Sequence, residues 1–515
     1  MLLLLGAVVL WPLNVRRTPQ IVRGGVVFIF ALACVWVFAW RLSPVPIEHM
    51  LSVYGPLGVP FFITLRVSSL AWSFAALIVS LGLLGGLLGM RSTLPSGYVS
   101  GPGVGLVLLA GALLMVLADN LPALFLGWLI MDAAYMVLLL DVQRMASRLV
   151  VLILGGLLIL WMVMIISPRE MVVSSWSEMV YSRGLLGLLA LSVWWRLGIY
   201  PLSRLHVLDV PEFPVAWLGI EIVAGTSWLL RWLSLPGAGE FWSNPAWWGI
   251  GSFAFFGSAL AAWLAEDRDD RLRWVMIQRA SVLVLLVGMF GESVVRVAWL
   301  LSTAIILIPF ILQLLAKLPS SPLAKGSRIL AILILWGLPW TLGGGVRFVL
   351  YQLWEWHSWI GFVLVWGDAL VLATLLLSVE EGDEEQISGR WGYEGLFVGV
   401  IVGLLVVWGV MEWGRGVRVA NLLSPTTSYI YTTLLPLTLG GFLAWQHKRI
   451  LINIQEWYHT LQHLIYLTPE EKVLNNLLRW TYTGLGGILY LLEGPGWLGW
   501  LVLGLLIITE IRWVV

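Results

Sequence analysis

Five ionisable side chains stand inside the most apolar stretches of this sequence: Asp132, Arg196, Glu221, Arg347 and Asp368. Charges at such positions are costly in hydrocarbon, and where they persist they mark ion pathways, proton relays or locked helix pairs. Arg196 lies in "SVWWRLGIYPLSRLH", five residues ahead of Pro201, and His206 follows closely. Arg347 lies in "GLPWTLGGGVRF", eight residues after Pro339 and behind Gly343, Gly344 and Gly345. Proline removes a helix hydrogen bond and glycine weakens a helix, so both arginines belong beside interrupted helices. Unwound backbone at membrane depth is tolerated only where it is buried in protein or lines a wet cavity. Guanidinium stays protonated, so the chemistry on offer is a carboxylate that exchanges protons beside a fixed cation. An unpaired buried cation is expensive, which predicts Glu221 or Asp132 beside Arg196 and Asp368 beside Arg347. The competing reading is that these are static buried pairs that lock helix packing.

The elements that must position these residues are membrane spans. Apolar runs near the ~20 residues that cross ~30 Å of hydrocarbon recur at 2–13, 24–40, 68–90, 103–118, 121–140, 149–167, 184–201, 214–233, 247–264, 274–290, 294–316, 329–350, 359–379, 394–412, 427–445 and 494–513. The expectation is an all-α polytopic membrane protein of about 16 transmembrane helices. Met1–Pro12 is read as a retained first span, because no basic region precedes it and no small-residue cleavage site follows. Basic residues favour the odd-numbered connections by eighteen to eight, among them Arg16, Arg17, Lys448 and Arg449. The positive-inside rule then places those connections in the cytoplasm and both termini outside. Nothing between the spans is long enough for a soluble catalytic domain.

Composition agrees. The 515 residues are 60% hydrophobic and 11% charged, with a mean hydropathy of +0.91, whereas a soluble domain carries about 25% charged residues. A net charge of +1 offers no footprint for nucleic acid. The single cysteine, Cys34, excludes an internal disulfide framework and a cysteine-ligated cluster within the chain. The acidic run Glu380–Glu385 reads as a solvated loop. After Ile450 the pattern Ile450, Ile454, Trp457, Leu461, Leu464 has helical period. With a helix start at Thr468–Pro469–Glu471, it predicts amphipathic cytoplasmic helices over about 450–490. His459 and His463 are four apart there, but no third ligand at motif spacing accompanies them, so no metal is assigned.

Four stretches, in order, resemble one family. "DNLPALFLGWLIMDAAYMVLLL" (Asp119–Leu140) is similar to a fifth segment that carries Gly-Trp-Glu. "RLGIYPLSRLHVLDVPEFPVAWL" (Arg196–Leu218) is similar to a broken seventh segment with Lys, then Pro, then Pro-x-Pro-Val. "DDRLRWVMIQRAS" (Asp269–Ser281) resembles Asp-x-Lys followed by Ala-Tyr-Ser, and "GLPWTLGGGVRF" resembles a broken twelfth segment ending in Lys. Over roughly residues 60 to 380 the chain resembles the antiporter-like membrane subunits of proton-translocating NADH–quinone oxidoreductase, Mrp cation/proton antiporters and membrane-bound hydrogenases.

The resemblance implies two inverted five-helix repeats with broken helices, at 103–233 and 247–379. They would be flanked by N-terminal helices over 1–102 and C-terminal helices over 380–515. It puts the family glutamate on Leu129 and the family lysines on Arg196 and Arg347, replacing three titratable groups with one leucine and two permanent cations. Asp132, one turn beyond Leu129 and on roughly the same face, is the expected stand-in, with Glu221, Asp368 and His206 as further gating candidates.

The expected function is a non-catalytic membrane-arm subunit of a respiratory or hydrogenase-type energy-converting complex, associated with proton translocation but with altered key residues. Redox cofactors belong on partner chains, since this one has no Gly-rich nucleotide fingerprint. The partners expected are other membrane subunits and the lipid bilayer, in a bacterial-type inner membrane. Two alternatives stand: a component of a cation/proton antiporter or ion-driven uptake system, and a non-conducting structural spacer.

Overall fold

The computed structural model describes residues 3, 19–40, 47–54, 60–89, 101–141, 156–163, 182–199, 215–233, 235, 244–290, 322–336, 347, 358–380 and 427–453. Eleven bounded helices occur among the described residues: α1 Pro19–Ala39, α2 Ser69–Gly89, α3 Gly101–Leu117, α4 Leu121–Asp141, α5 Arg183–Leu197, α6 Val215–Leu233, α7 Pro245–Leu264, α8 Arg268–Phe290, α9 Pro322–Trp336, α10 Ser358–Glu380 and α11 Thr427–Asn453. Ala246–Leu264 in α7 and Trp359–Ser378 in α10 are long and apolar enough to cross a membrane. Gly24–Ala39, Ser69–Leu83, Gly103–Leu117 and Leu121–Tyr135 are shorter apolar stretches of the same kind.

One element departs from the all-α expectation. Strands β1 (Ile47–Tyr54) and β2 (Pro60–Val67) pair antiparallel, with Ile47 opposite Val67 and Tyr54 opposite Pro60. The sequence explains it: β-branched and aromatic residues flank a Gly55–Pro56 turn signal, and strands of this kind are too short to span as helices. The hairpin clamps the α3–α4 turn. Asp119 N–H donates to the Thr64 carbonyl at 2.8 Å, and Asn120 Oδ1 accepts from Thr64 N and from Ala123 N, which caps α4.

Close helix crossings fix the site helices. α3 and α4 meet at Gly111 and Gly127, where a Cβ on Gly111 would lie 2.8 Å from the Gly127 carbonyl and 2.7 Å from Met131 Cγ. α6 packs on α5 through Gly225, whose Cβ would stand 2.9 Å from a Leu197 methyl. α11 packs on α10 through Gly440, facing the Ala369 carbonyl. Glycine at such contacts lets backbones approach as far as van der Waals packing allows.

Several element boundaries differ from the sequence reading, among them the start of α9 at Pro322, seven residues ahead of the predicted 329. α8 begins at Arg268, inside the predicted connection, and buries Arg271 and Arg273. There, Arg271 Nε donates to the Ala265 carbonyl at 2.9 Å, just past the end of α7, and Arg273 pairs with Asp270 at 3.0 Å. Arg271 thereby complements the C-terminal end of α7's dipole, which offsets the burial of its charge. α11 runs unbroken to Asn453, so Ile450 belongs to the apolar helix and not to the start of an amphipathic one. The rest of that predicted segment, with His459 and His463, lies outside the described residues, as do the first span apart from Leu3, both termini and the acidic run beyond Glu380.

Candidate functional site: two buried arginine clusters

Asn120 caps α4 and the glycine crossing seats it against α3, so the face bearing Trp128, Met131 and Asp132 turns inward. α5 begins at Ser182, whose side chain accepts from Leu185 N. It ends where Gly198 adopts φ 61°, a left-handed conformation that glycine takes without a Cβ penalty. α5 therefore stops at Gly198, two residues after Arg196; Pro201 and His206 lie outside the described residues. That stop leaves Arg196 in the last turn, where the helix dipole favours a cation.

There Arg196 Nη1 meets Asp132 Oδ1 at 2.7 Å and Glu221 Oε1, from α6, at 3.6 Å. Its Nη2 lies 2.9 Å from Met131 Sδ, and its guanidinium sits 5.0 Å from the Trp128 ring centre. All three charged groups are buried: Arg196 0%, Asp132 1% and Glu221 3% exposed. One nitrogen of one guanidinium thus serves two carboxylates.

The second cluster gathers around Asp368 of α10, at 1% exposure. Its Oδ2 faces Arg347 Nε at 3.1 Å and its Oδ1 faces Arg279 Nη1 of α8 at 3.4 Å. Arg279 Nη2 also donates to the carbonyl of Trp336, the last residue of α9, at 3.2 Å. Trp336 Nε1 donates back to the Asp368 carbonyl at 3.2 Å, and its ring lies 3.7 Å from the Arg347 guanidinium. Here two guanidiniums serve one carboxylate. Pro339 and Gly343–Gly345, between α9 and Arg347, lie outside the described residues.

The structure thus brings together Arg196 with Asp132 and Glu221, and Arg347 with Asp368. It also corrects the reading of Leu129. That side chain is 42% exposed while Asp132 is 1% exposed, so the two do not share a face. The inward row is Trp128 and Asp132, four apart; Leu129 follows Trp128 directly and so points about 100° away from it around the helix, to the outer edge of that face. Asp132, not position 129, is the residue of this helix that faces Arg196 at the end of α5.

Arg279 was missed by the sequence reading, although it stands as an ionisable residue within the 274–290 span, the very signal that picked out the other five. A further arginine, the half-buried Arg231 near the end of α6, donates to the Ala118 and Val116 carbonyls and so ties off the C-terminus of α3.

Comparison with solved structures bears on the fold. The chain superposes on one from the Mrp complex of Dietzia sp. DQ12-45-1b with a TM-score of 0.74 at 17% identity, covering 100% of this chain. It spans only 63% of the length of that Mrp chain. A chain of the membrane-bound sulfane sulfur reductase, an archaeal respiratory membrane complex, superposes with a TM-score of 0.63 at 18% identity, covering 84% of this chain and 77% of the other. No protein-family model matches the sequence, and no curated protein does. Both structural relatives are membrane complexes, and at these identities the likeness is one of fold. The chain has the fold of the chains it matches in these two membrane complexes, and its long apolar helices suit the same membrane setting.

Proposed function

We propose that the chain is a membrane-arm, antiporter-like subunit of a respiratory or hydrogenase-type energy-converting complex, in a bacterial-type inner membrane. The observation that carries this reading is the pair of buried clusters in which an arginine meets a carboxylate from an apolar helix. Buried charge of this kind in a membrane fold is a functional device by default. In this reading the chain has about 16 spans, two inverted five-helix repeats over 103–233 and 247–379, and both termini outside. Flanking helices occupy 1–102 and 380–515.

Its electron-transfer cofactors sit on partner chains, and its own contribution is proton movement through Asp132 and Glu221 beside the fixed charge of Arg196. A carboxylate can bind and release a proton, whereas the guanidinium holds its charge and orients it. Asp368, Arg347 and His206 act as gating groups rather than carriers.

The fold shared with the Mrp-complex chain favours one competitor, a component of a cation/proton antiporter. Affinity isolation of the tagged full-length chain from its native membrane separates the two. Co-purifying redox subunits that carry metal clusters support the membrane-arm reading. Small ion-antiporter subunits without clusters overturn it. In the first case, proton uptake per electron in reconstituted vesicles should fall with Asp132→Asn; an unchanged stoichiometry leaves the structural-spacer reading in its place.

A further inference from the structure

The two clusters differ at one matched position. Asp132 is the twelfth residue of α4, counted from Leu121, and Arg279 is the twelfth residue of α8, counted from Arg268. Each of these helices follows an apolar helix with which it packs intimately, α3 before α4 and α7 before α8, and each sends that residue to the cluster of its own half. The charge at this position is negative in the first half and positive in the second.

We propose that Arg279 makes the second cluster a fixed positive lock, so that reversible proton binding by this chain is confined to the Asp132–Arg196–Glu221 cluster. The inference rests on the proposed correspondence of the two five-helix halves. In the first cluster Asp132 and Glu221 approach the same guanidinium nitrogen, at 2.7 and 3.6 Å. When Glu221 takes a proton from a hydronium ion, an O–H bond of the hydronium breaks to leave water, the carboxyl O–H bond forms, and the charge of the three groups goes from −1 to 0. The Asp132–Arg196 pair stays intact, and the repulsion between the two carboxylates disappears. Release of the proton reverses each change.

In the second cluster both oxygens of Asp368 already face guanidiniums, at 3.4 and 3.1 Å. A proton there would break one of those contacts and leave two cations facing a neutral acid. Like charges brought together in a buried site are strongly disfavoured. Arg279 is further pinned by the Trp336 carbonyl, so it cannot swing away to make room.

The surroundings of Glu221 sharpen the contrast. α6 packs on α2, α3, α5 and α8. α2 and α3 contain no ionisable residue. α5 brings Arg196, and α4 brings Asp132 and Tyr135, both of which act electrostatically on that arginine. α8 carries Arg279 within its apolar stretch and Asp270, Arg271 and Arg273 near its start, and Arg231 lies further along α6 itself.

Infrared spectroscopy of the full-length chain in lipid nanodiscs, taken across a pH series, tests this through the carbonyl stretch of protonated carboxylic acids. Subtracting a variant's spectrum from its parent's removes every carboxyl common to both. Wild type minus Glu221→Gln should show a band that grows on acidification, and wild type minus Asp368→Asn should show none over the same range. In an Arg279→Gln background, removing Asp368 should now reveal such a band. A wild-type band that belongs to Asp368, a Glu221 difference that is flat at every pH, or an Arg279→Gln chain with no new band each overturns the proposal. If Glu221→Gln does not fold, Glu221→Asp must instead shift the band. Because the spectra read proton binding in this chain alone, they stand even if co-purification sinks the membrane-arm reading. If redox partners do co-purify and the bands fail, only this inference falls.

Discussion

Removing the Asp132 carboxylate is the sharpest perturbation the structure offers. Asp132→Asn keeps the side-chain shape and deletes the charge that meets Arg196 at 2.7 Å in a site with no solvent exposure of the guanidinium. Breaking a buried ion pair by neutralising one partner costs ~3–5 kcal/mol, because the surviving charge is left in a poor medium. Here Glu221 lies 3.6 Å from the same nitrogen and can take over the pairing, holding the loss to ~2–3 kcal/mol by the worth of a hydrogen bond to a charged group. Glu221→Gln alone should cost under ~1 kcal/mol, since Asp132 keeps the 2.7 Å contact and a 3.6 Å contact is beyond hydrogen-bond range. The double variant strands Arg196 and should cost the full ~5 kcal/mol, about 1–3 kcal/mol beyond the sum of the singles, as expected for residues sharing one partner. The assay is a double-mutant cycle on thermal unfolding of the purified chain in detergent, followed by size-exclusion of the surviving fraction. Additive losses, or a single Glu221→Gln loss as large as that of Asp132→Asn, would refute the shared-cation geometry.

Three other outcomes follow from the same coordinates. Leu129→Glu should fail to restore a family-like glutamate, because that position faces outward at 42% exposure. A charge placed there should lower membrane insertion by ~2–3 kcal/mol, read as a lower inserted fraction, and proton uptake that rises instead would show the side chain reaching Arg196. Gly127→Leu should destabilise the chain by ~1–3 kcal/mol or more. Its new Cβ would lie 2.7 Å from Met115 N and 2.9 Å from the Gly111 carbonyl, and an unchanged melting profile would contradict that crossing. Arg231→Leu leaves the Val116 and Ala118 carbonyls without their donor, so it should cost ~1–3 kcal/mol and speed hydrogen exchange around the α3–α4 turn, whereas unchanged protection there would count against the cap.

Composition and apolar run length were enough to show a polytopic membrane chain, because burying backbone in hydrocarbon permits little besides helices. Those same runs located most of the described helices to within a few residues. A charge inside such a run must find a partner or be expelled, which is why Asp132, Arg196, Glu221, Arg347 and Asp368 could be singled out and paired before any fold was known. What sequence could not supply was direction and register. Leu129 and Asp132 are three apart, and only the packing of Gly127 against α3 decides which of them turns inward. The same holds for Arg279, whose partner lies 89 residues away on α10. The hairpin at 47–67 is held by the α3–α4 turn, a contact distant in sequence. Local pattern fixes what a segment is, whereas the sharing of one guanidinium by two carboxylates, and of one carboxylate by two guanidiniums, exists only once helices far apart in the chain have packed.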